Sequence, residues 1–229
     1  WIIFFVLFKA SVLIVNVKSV SLPFAEMFCT TISTFIKFLD NGHLISFSPI
    51  FIEGNRENPV LITSEFNQNL TTNTSNIKNG SGILIINSNE ESLLKHVIFR
   101  NLSAPNLISD QGILGSINFY QADVKILNTK FYNNRIGDDY INIIRSNFFI
   151  EDSYFEETNA DAIDIDFSKG SIINSKFFMS KNDAIDFSGS NASVYNTYFD
   201  KINDKIISAG EDSKININQI KGLNSYAGI

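Results

Sequence analysis

The feature that most constrains the fold of this chain is a repeat of about 22 residues in its C-terminal half. Four segments align without gaps, namely ILNTKF (126–131), IEDSYF (150–155), IINSKF (172–177) and VYNTYF (194–199). Each ends in phenylalanine, at spacings of 24, 22 and 22 residues, and the third residue of each is Asn or Asp. Residue identity that recurs at a fixed period indicates a fold in which equivalent positions stack on one another.

A second set of segments repeats between the first, comprising YINII (140–144), AIDID (162–166), AIDFS (184–188) and KIISA (205–209). This period, without a helical stripe, is typical of one turn of a parallel β-helix, whose rungs stack about 4.8 Å apart. We therefore predict an all-β fold, a right-handed parallel β-helix with rungs of about 22 residues. The phenylalanines are expected to stack inside the core, and the Asn/Asp positions to lie at a bend.

The repeat becomes irregular towards the N-terminus. Residues 83–101 resemble an earlier rung that places Phe99 in the phenylalanine stack, and residues 43–64 resemble one or two irregular rungs. Polar residues 66–81 and the Pro- and Gly-containing residues 102–116 are predicted to be loops. The predicted β-helix domain covers residues 39–229, after a separate apolar segment at 1–38. The last residues begin another strand, so we expect further domains or rungs in a longer chain.

The first 17 residues are mostly apolar but contain Lys9 and Asn16. Three interpretations of this segment remain open. It is a secretion signal, a start that does not belong to the fold, or a membrane anchor. The third is the weakest, because a lysine near the middle of a span is costly. A secreted or cell-surface location is the resulting prediction.

Charge and cysteine content exclude some functions. The formal net charge is −6 and no basic cluster is present, which argues against nucleic acid as a partner. Cys29 is the single cysteine, so no disulfide forms within the chain. His43 and His96 have no neighbouring residues at metal-binding or triad spacing and are interpreted as structural.

Three motifs carry a resemblance to a known family, namely NADAIDIDFSKG (159–170), KNDAIDFSGS (181–190) and NDKIISAG (203–210). They resemble the right-handed parallel β-helix repeats of the pectin-lyase-like superfamily, over about residues 43–229. The likeness is greatest to β-helix regions of bacterial secreted or surface proteins, some of which accompany spore-coat-type kinase domains. Members of that superfamily include polysaccharide lyases, hydrolases, epimerases, adhesins and repeats without catalysis. The resemblance implies a polysaccharide or glycan partner and selects no activity.

Alternation within AIDIDF predicts that Ile163, Ile165 and Phe167 point inward, and that Asp164 and Asp166 point outward. In the next repeat Asp186 occupies the position of Asp164, and in the preceding one Asn142 does. A parallel column of acidic residues precedes each strand, consisting of Asp139, Asp161 and Asp183. We call these two columns together the acidic stripe.

Carboxylates stacked one rung apart repel each other unless a cation, a base or a raised pKa compensates. The stripe therefore predicts a site for Ca²⁺ or sugar hydroxyls, against the alternative that its residues are solvated turn and strand positions. The predicted Ca²⁺ ligands are Asp161, Asp164, Asp183 and Asp186. The predicted substrate-binding residues are Asp161, Asp166, Asp183, Asn142 and Tyr195. The candidate catalytic residues are Asp164, Asp186 and Arg145.

Two functions follow from these residues. The leading hypothesis is a non-catalytic β-helix module that binds glycan or Ca²⁺ along the stripe, because no base, acid and basic residue converge in sequence. The competing hypothesis is a carbohydrate-active enzyme of the lyase, epimerase or hydrolase type at the same aspartates.

Overall fold

The computed structural model describes residues 20–22, 27–30, 35–38, 42–64, 81–105 and 113–228. Within these ranges every regular element is a β-strand, and every pairing between strands is parallel. The chain winds into a parallel β-solenoid of about seven turns. The turns average about 24 residues, slightly longer than the predicted 22, because the upstream turns carry longer connections.

The strands, in chain order, are β1 Val20–Leu22, β2 Met27–Thr30, β3 Phe35–Phe38, β4 Leu44–Ser46, β5 Ile50–Glu53, β6 Val60–Ser64, β7 Ile83–Lys95, β8 Val97–Arg100, β9 Gly115–Leu127, β10 Lys130–Tyr132, β11 Asp139–Ile144, β12 Asn147–Glu151, β13 Tyr154–Thr158, β14 Asp161–Asp166, β15 Lys169–Ile173, β16 Lys176–Ser180, β17 Ile185–Ser188, β18 Asn191–Tyr195, β19 Tyr198–Asp200, β20 Ser208–Gly210, β21 Lys214–Asn218 and β22 Lys221–Leu223.

The strands form three faces that run along the solenoid. The first face contains β1, β4, the first halves of β7 and β9, then β11, β14, β17 and β20. The second contains β2, β5, the second halves of β7 and β9, then β12, β15, β18 and β21. The third consists of β3, β6, β8, β10, β13, β16, β19 and β22. Each turn of the chain thus contributes one strand to each face.

The predicted phenylalanine stack forms the centre of the core. Phe99, Phe131, Phe155, Phe177 and Phe199 are fully buried and occupy equivalent positions on the third face. Successive ring centroids are 5.3, 4.5, 4.7 and 5.1 Å apart, with nearly parallel planes. Isoleucines from the other two faces close the core around this stack. Offset stacking adds to the free energy gained by burying the rings.

The predicted Asn/Asp bend is also confirmed. Asn128, Asp152, Asn174 and Asn196 separate the second face from the third, with φ angles of 50, 50, 51 and 47°. This left-handed region is disfavoured for most residues, and Asn and Asp tolerate it better than others because their short side chains bond locally. The Asn196 amide Nδ2 donates to Asn174 Oδ1 at 2.8 Å, which links adjacent turns at this bend.

The prediction that Phe167 points inward is wrong. Phe167 lies at the bend between the first and second faces with φ 50°, and its side chain is 56% exposed. A left-handed residue interrupts strand alternation, so the inward sequence of Ile163 and Ile165 does not continue to position 167. Arg145 and Gly189, also with positive φ, occupy the same bend in the neighbouring turns. In the next turn, Phe187 occupies the position of Ile165 and is buried in the core.

Upstream, the ladder extends beyond the predicted start at residue 39. Strands β1, β2 and β3 pair in parallel with β4, β5 and β6. Most of the predicted loops, residues 65–80 and 106–112, and the apolar residues 1–19 lie outside the described ranges. In the part of the chain that the structure describes, no helix is long and apolar enough to span a membrane.

Candidate functional site

The column of aspartates that precedes the first-face strands is buried. Asp139, Asp161 and Asp183 are 3, 7 and 4% exposed. Asp161 Oδ1 accepts hydrogen bonds from the Asp183 backbone N–H and from Asn182 Nδ2, both at 2.7 Å. Asp183 Oδ1 accepts from the Lys205 N–H, one turn further on, at 2.7 Å. These bonds tie each turn to the next, so Asp161 and Asp183 are not solvated and stabilise the solenoid.

The second column lies on the outer side of the first face. Asn118, Asn142, Asp164 and Asp186 are in register on β9, β11, β14 and β17. The two asparagines are buried, whereas the two aspartates are half-buried and reach solvent. The column is thus buried at its Asn end and accessible to solvent at its Asp end. The two aspartate positions are one strand spacing apart, about 4.8 Å.

Asn142 connects the two columns. Its Nδ2 group donates to Asp139 Oδ2 at 3.2 Å and to Asp164 Oδ2 at 3.0 Å. Its Oδ1 atom is buried and accepts no hydrogen bond from the described residues. One amide therefore fixes the position of Asp164 Oδ2 and leaves Oδ1 of the same carboxyl group directed to other partners.

Asn118 closes the buried end of the column. Its Oδ1 accepts from the Gly115 N–H at 2.9 Å, and its Nδ2 donates to the carbonyls of Gly115 and Ile83 at 2.6 and 3.2 Å. The sequence analysis did not identify Asn118 as a member of this column, although it lies 24 residues before Asn142, at the spacing of the repeat. Its side chain is fully used within the fold.

Burial and mutual repulsion raise the pKa values of the stripe. Burial is the largest cause for Asp164, and the charges of Asp166 and Asp186 add to it, so that its pKa is about 8. Burial also raises the pKa of Asp161 to about 6, partly offset by its hydrogen bonds. The pKa values of Asp139, Asp166 and Asp183 are raised by burial as well.

These pKa values change the chemistry of the stripe. At neutral pH the Asp164 carboxyl group is largely protonated, because its pKa is about 8. A protonated carboxyl group is a hydrogen-bond donor through its O–H and an acceptor through its carbonyl oxygen. Since Asn142 donates to Oδ2, Oδ1 is the oxygen available to carry the proton. Protonation of Asp164 lowers the repulsion along the stripe.

The predicted Ca²⁺ site stays a prediction. Among the described residues, no group of three or more His, Cys, Asp or Glu side chains is arranged to hold a metal ion. Of the predicted ligands, Asp161 and Asp183 are engaged by backbone N–H groups.

Of the remaining predicted site residues, Asp166 lies close enough to Asp164 to raise the pKa of that carboxyl group, whereas Arg145 and Tyr195 lie elsewhere on the solenoid. Arg145, at the bend after the first face, donates to the Tyr120 hydroxyl at 3.4 Å and stacks over the Phe167 ring at 5.8 Å. Tyr195 is 41% exposed but belongs to β18 on the second face. Asp166 is half-buried at the end of β14, directly before the exposed Phe167. Arg145 occupies the position equivalent to Phe167 in the preceding turn. A charged residue at that position indicates, from the sequence alone, that the position lies outside the core.

Comparison with known proteins supplies no relative by sequence. No protein-family model matches the chain, and no curated protein matches it. Among solved structures, a candidate glycosyl hydrolase from Parabacteroides merdae is similar over 83% of this chain and 82% of its own, with 10% identity and TM-score 0.32. A double mutant of the periplasmic alginate epimerase AlgG is similar over 85% of this chain and 72% of its own, with 9% identity and TM-score 0.26.

Proposed function

We propose that the protein is a carbohydrate-binding β-helix module that holds an uncharged glycan against the half-buried pair Asp164 and Asp186. The observation that carries the proposal is the half-buried Asp164 carboxyl group, which the Asn142 amide holds at the accessible end of an otherwise buried polar column. Its raised pKa of about 8 favours the protonated form at neutral pH. The rest of the column is used by the fold, whereas this pair has hydrogen-bonding capacity left over.

Sugar hydroxyls match that capacity. Each hydroxyl both donates and accepts, as a protonated carboxyl group does. The exposed Phe167 ring, at the bend immediately after Asp166 and beside Arg145, adds apolar surface next to the pair. The negative charges of the stripe disfavour a polyanion here, so a glycan without acidic groups is the better partner. A secreted or cell-surface location, where such glycans occur, is part of this proposal.

The test is binding of neutral polysaccharides to the full chain by affinity electrophoresis, with xylan, mannan and β-glucan in the gel. We expect retardation by at least one polymer, and loss of retardation in the double variant Asp164→Ala/Asp186→Ala. Alanine removes the hydrogen-bond donor and acceptor groups of both side chains, whereas asparagine would keep a donor and an acceptor at each position.

A matched control removes two carboxylates elsewhere. Asp152 and Asp212 are exposed at bends, and asparagine already occupies the position of Asp152 in adjacent turns. Asp152→Asn/Asp212→Asn should therefore bind as the unaltered chain does. Retention of binding in the Asp164→Ala/Asp186→Ala variant, or equal loss in both variants, would contradict the proposal.

A second function is favoured by the raised pKa of Asp164 and by the spacing between Asp164 and Asp186. A carboxyl group with a pKa of about 8 is a suitable general acid at neutral pH. Retaining glycosidases place a nucleophilic carboxylate about 5–5.5 Å from the acid, close to the strand spacing that separates these two positions. Release of reducing sugar from a polymer that is bound, abolished by either single substitution, would establish hydrolysis instead of binding alone.

A further inference from the structure

The outer side of the third face carries a regular alternation of lysine and tyrosine. On this side, one position per strand reads Lys130, Tyr154, Lys176, Tyr198 and Lys221 along five consecutive turns. The three lysines are exposed and the two tyrosines are half-buried. Identical residues are thus two strand spacings apart, about 9–10 Å along the solenoid.

A second line of residues on the same strands supplies more aromatic surface. Tyr132 and Phe178 lie diagonally beside the tyrosines, and the rings of Tyr132, Tyr154, Phe178 and Tyr198 form a continuous zigzag. Successive ring centroids along it are 5.7, 5.2 and 5.4 Å apart, with tilted planes. The zigzag gives the third face an apolar strip several turns long, at the edge of the lysine row.

The acidic residues on this face are already engaged. Glu156 accepts a hydrogen bond from the Tyr154 hydroxyl at 3.1 Å, and Asp200 accepts one from Asn224 Nδ2 at 2.9 Å. By contrast, within the described ranges, Lys130, Lys176 and Lys221 make no ion pair and no side-chain hydrogen bond. The three lysines therefore carry positive charge without a direct ion-pair partner among the described residues, although Glu156 and Asp200 keep their negative charges in the neighbouring line.

We propose that this third face binds a linear polysaccharide that carries one acidic group on every second sugar, lying along the solenoid axis. In this arrangement an uncharged sugar stacks on a tyrosine and the next, acidic sugar pairs with a lysine. An extended chain of linked sugar rings advances by about one ring per strand spacing, so the two-turn period of the lysines matches a disaccharide repeat. The charge of the row complements that of the polymer.

This proposal is independent of the uncharged glycan proposed for the first face. The two surfaces lie on different sides of the solenoid and have opposite charge. An acidic polymer is disfavoured at Asp164 and attracted by the lysine row.

The experiment measures binding of hyaluronan, in which an uncharged amino sugar alternates with a uronic acid, to the full chain by calorimetry. The key variant is Lys176→Gln/Lys221→Gln, which we expect to weaken binding roughly tenfold by removing two charge pairs. The second face offers a matched control, because Lys169 and Lys214 are exposed, lie in the same two turns and have Asn191 between them. Lys169→Gln/Lys214→Gln removes the same charge without an aromatic strip and should leave the affinity within about twofold.

Two further measurements test the stacking and the repeat. Tyr198→Ser should weaken binding even at high salt, where the lysine contribution is screened. Polygalacturonate, with an acidic group on every sugar, should bind more weakly than hyaluronan, because only every second group meets a lysine. The proposal is overturned if hyaluronan does not bind, if the two lysine double variants lose affinity equally, or if carboxyl-reduced hyaluronan binds as well as hyaluronan. Asp164→Ala/Asp186→Ala should leave this binding unchanged, which separates failure here from failure of the proposed first-face site.

Discussion

At the scale of single residues, Asp164 has an electrostatic role that costs stability. Its folded-state pKa is about 8, against an ordinary value of 3.8. Between these two pH values the folded protein binds a proton more tightly than the unfolded chain does, so the free energy of unfolding falls as the pH rises. Below about pH 4 both states are protonated and the group contributes nothing, whereas above about pH 8 the full penalty is present.

Asp164→Asn should therefore stabilise the protein at alkaline pH. The amide resembles the protonated acid, so we expect no change in the free energy of unfolding at pH 4. At pH 8.5 we expect that free energy to rise by an amount on the order of 1–2 kcal/mol, which is less than the full pKa shift implies because neighbouring carboxylates share the effect. Urea unfolding followed by circular dichroism at both pH values measures it. Asp152→Asn serves as the exposed control and should change neither midpoint. Equal midpoints for Asp164→Asn and the unaltered chain at pH 8.5 would contradict the assigned burial of this carboxyl group.

At the scale of strands and bends, hydroxyl side chains join one turn to the next. After each left-handed residue at the bend between the first and second faces comes a buried serine, namely Ser146, Ser168 and Ser190. Ser168 Oγ donates to the Asp166 carbonyl at 2.8 Å and accepts from the Ser146 N–H at 3.0 Å. The Ser190 hydroxyl accepts in the same way from the Ser168 N–H. These bonds satisfy backbone N–H groups that the bend removes from the strand ladder.

Ser168→Ala should lower the free energy of unfolding by about 1–3 kcal/mol, because it leaves the Ser146 N–H buried without a partner. Chemical denaturation should show a lower midpoint with an unchanged slope. Ser171→Ala provides the control, since Ser171 lies three residues away on the outer side of β15 and is only half-buried. A loss for Ser171→Ala as large as that for Ser168→Ala would show that the hydroxyl ladder has no special role.

The geometry of strands and bends also explains which features of the fold and of the site could be predicted from the sequence. The phenylalanine stack and the Asn bend were predictable because each turn repeats one residue type at one position. The orientation of Phe167 was not, since alternation holds only while φ stays in the strand region. The lysine and tyrosine row was present in KFF and YFD, where the residues beside an inward phenylalanine must point outward. The separation of buried Asp161 from accessible Asp164 could not be predicted, because it depends on which side chain meets the N–H of the next turn.

At the scale of the whole molecule, the solenoid is held together by contacts between neighbouring turns. In the phenylalanine stack, Phe131, Phe155 and Phe177 each stack on the ring of the preceding turn and on that of the following turn. The stability of such a fold is close to a sum of terms for single turns and for the interfaces between them. A defect in one turn is therefore expected to spread to its neighbours more than to distant turns.

Phe177→Ala tests this expectation, because it creates a cavity in the middle of the stack. We expect a loss of about 3–5 kcal/mol, the range typical of a buried phenylalanine. Native-state hydrogen exchange should show the largest loss of protection in β13, β16 and β19, and a much smaller loss in β6 and β8.

Phe178→Ala is the matched control, since the adjacent Phe178 is half-buried on the outer side of the same strand. It removes a ring of the same size without opening the core, so the loss should be nearer 1 kcal/mol. If Phe177→Ala instead lowered protection equally in all strands, the described turns would unfold as a single cooperative unit. In that case a ligand bound to a few turns would stabilise the entire solenoid. If the response is local, a bound ligand stabilises only the turns that form its binding surface.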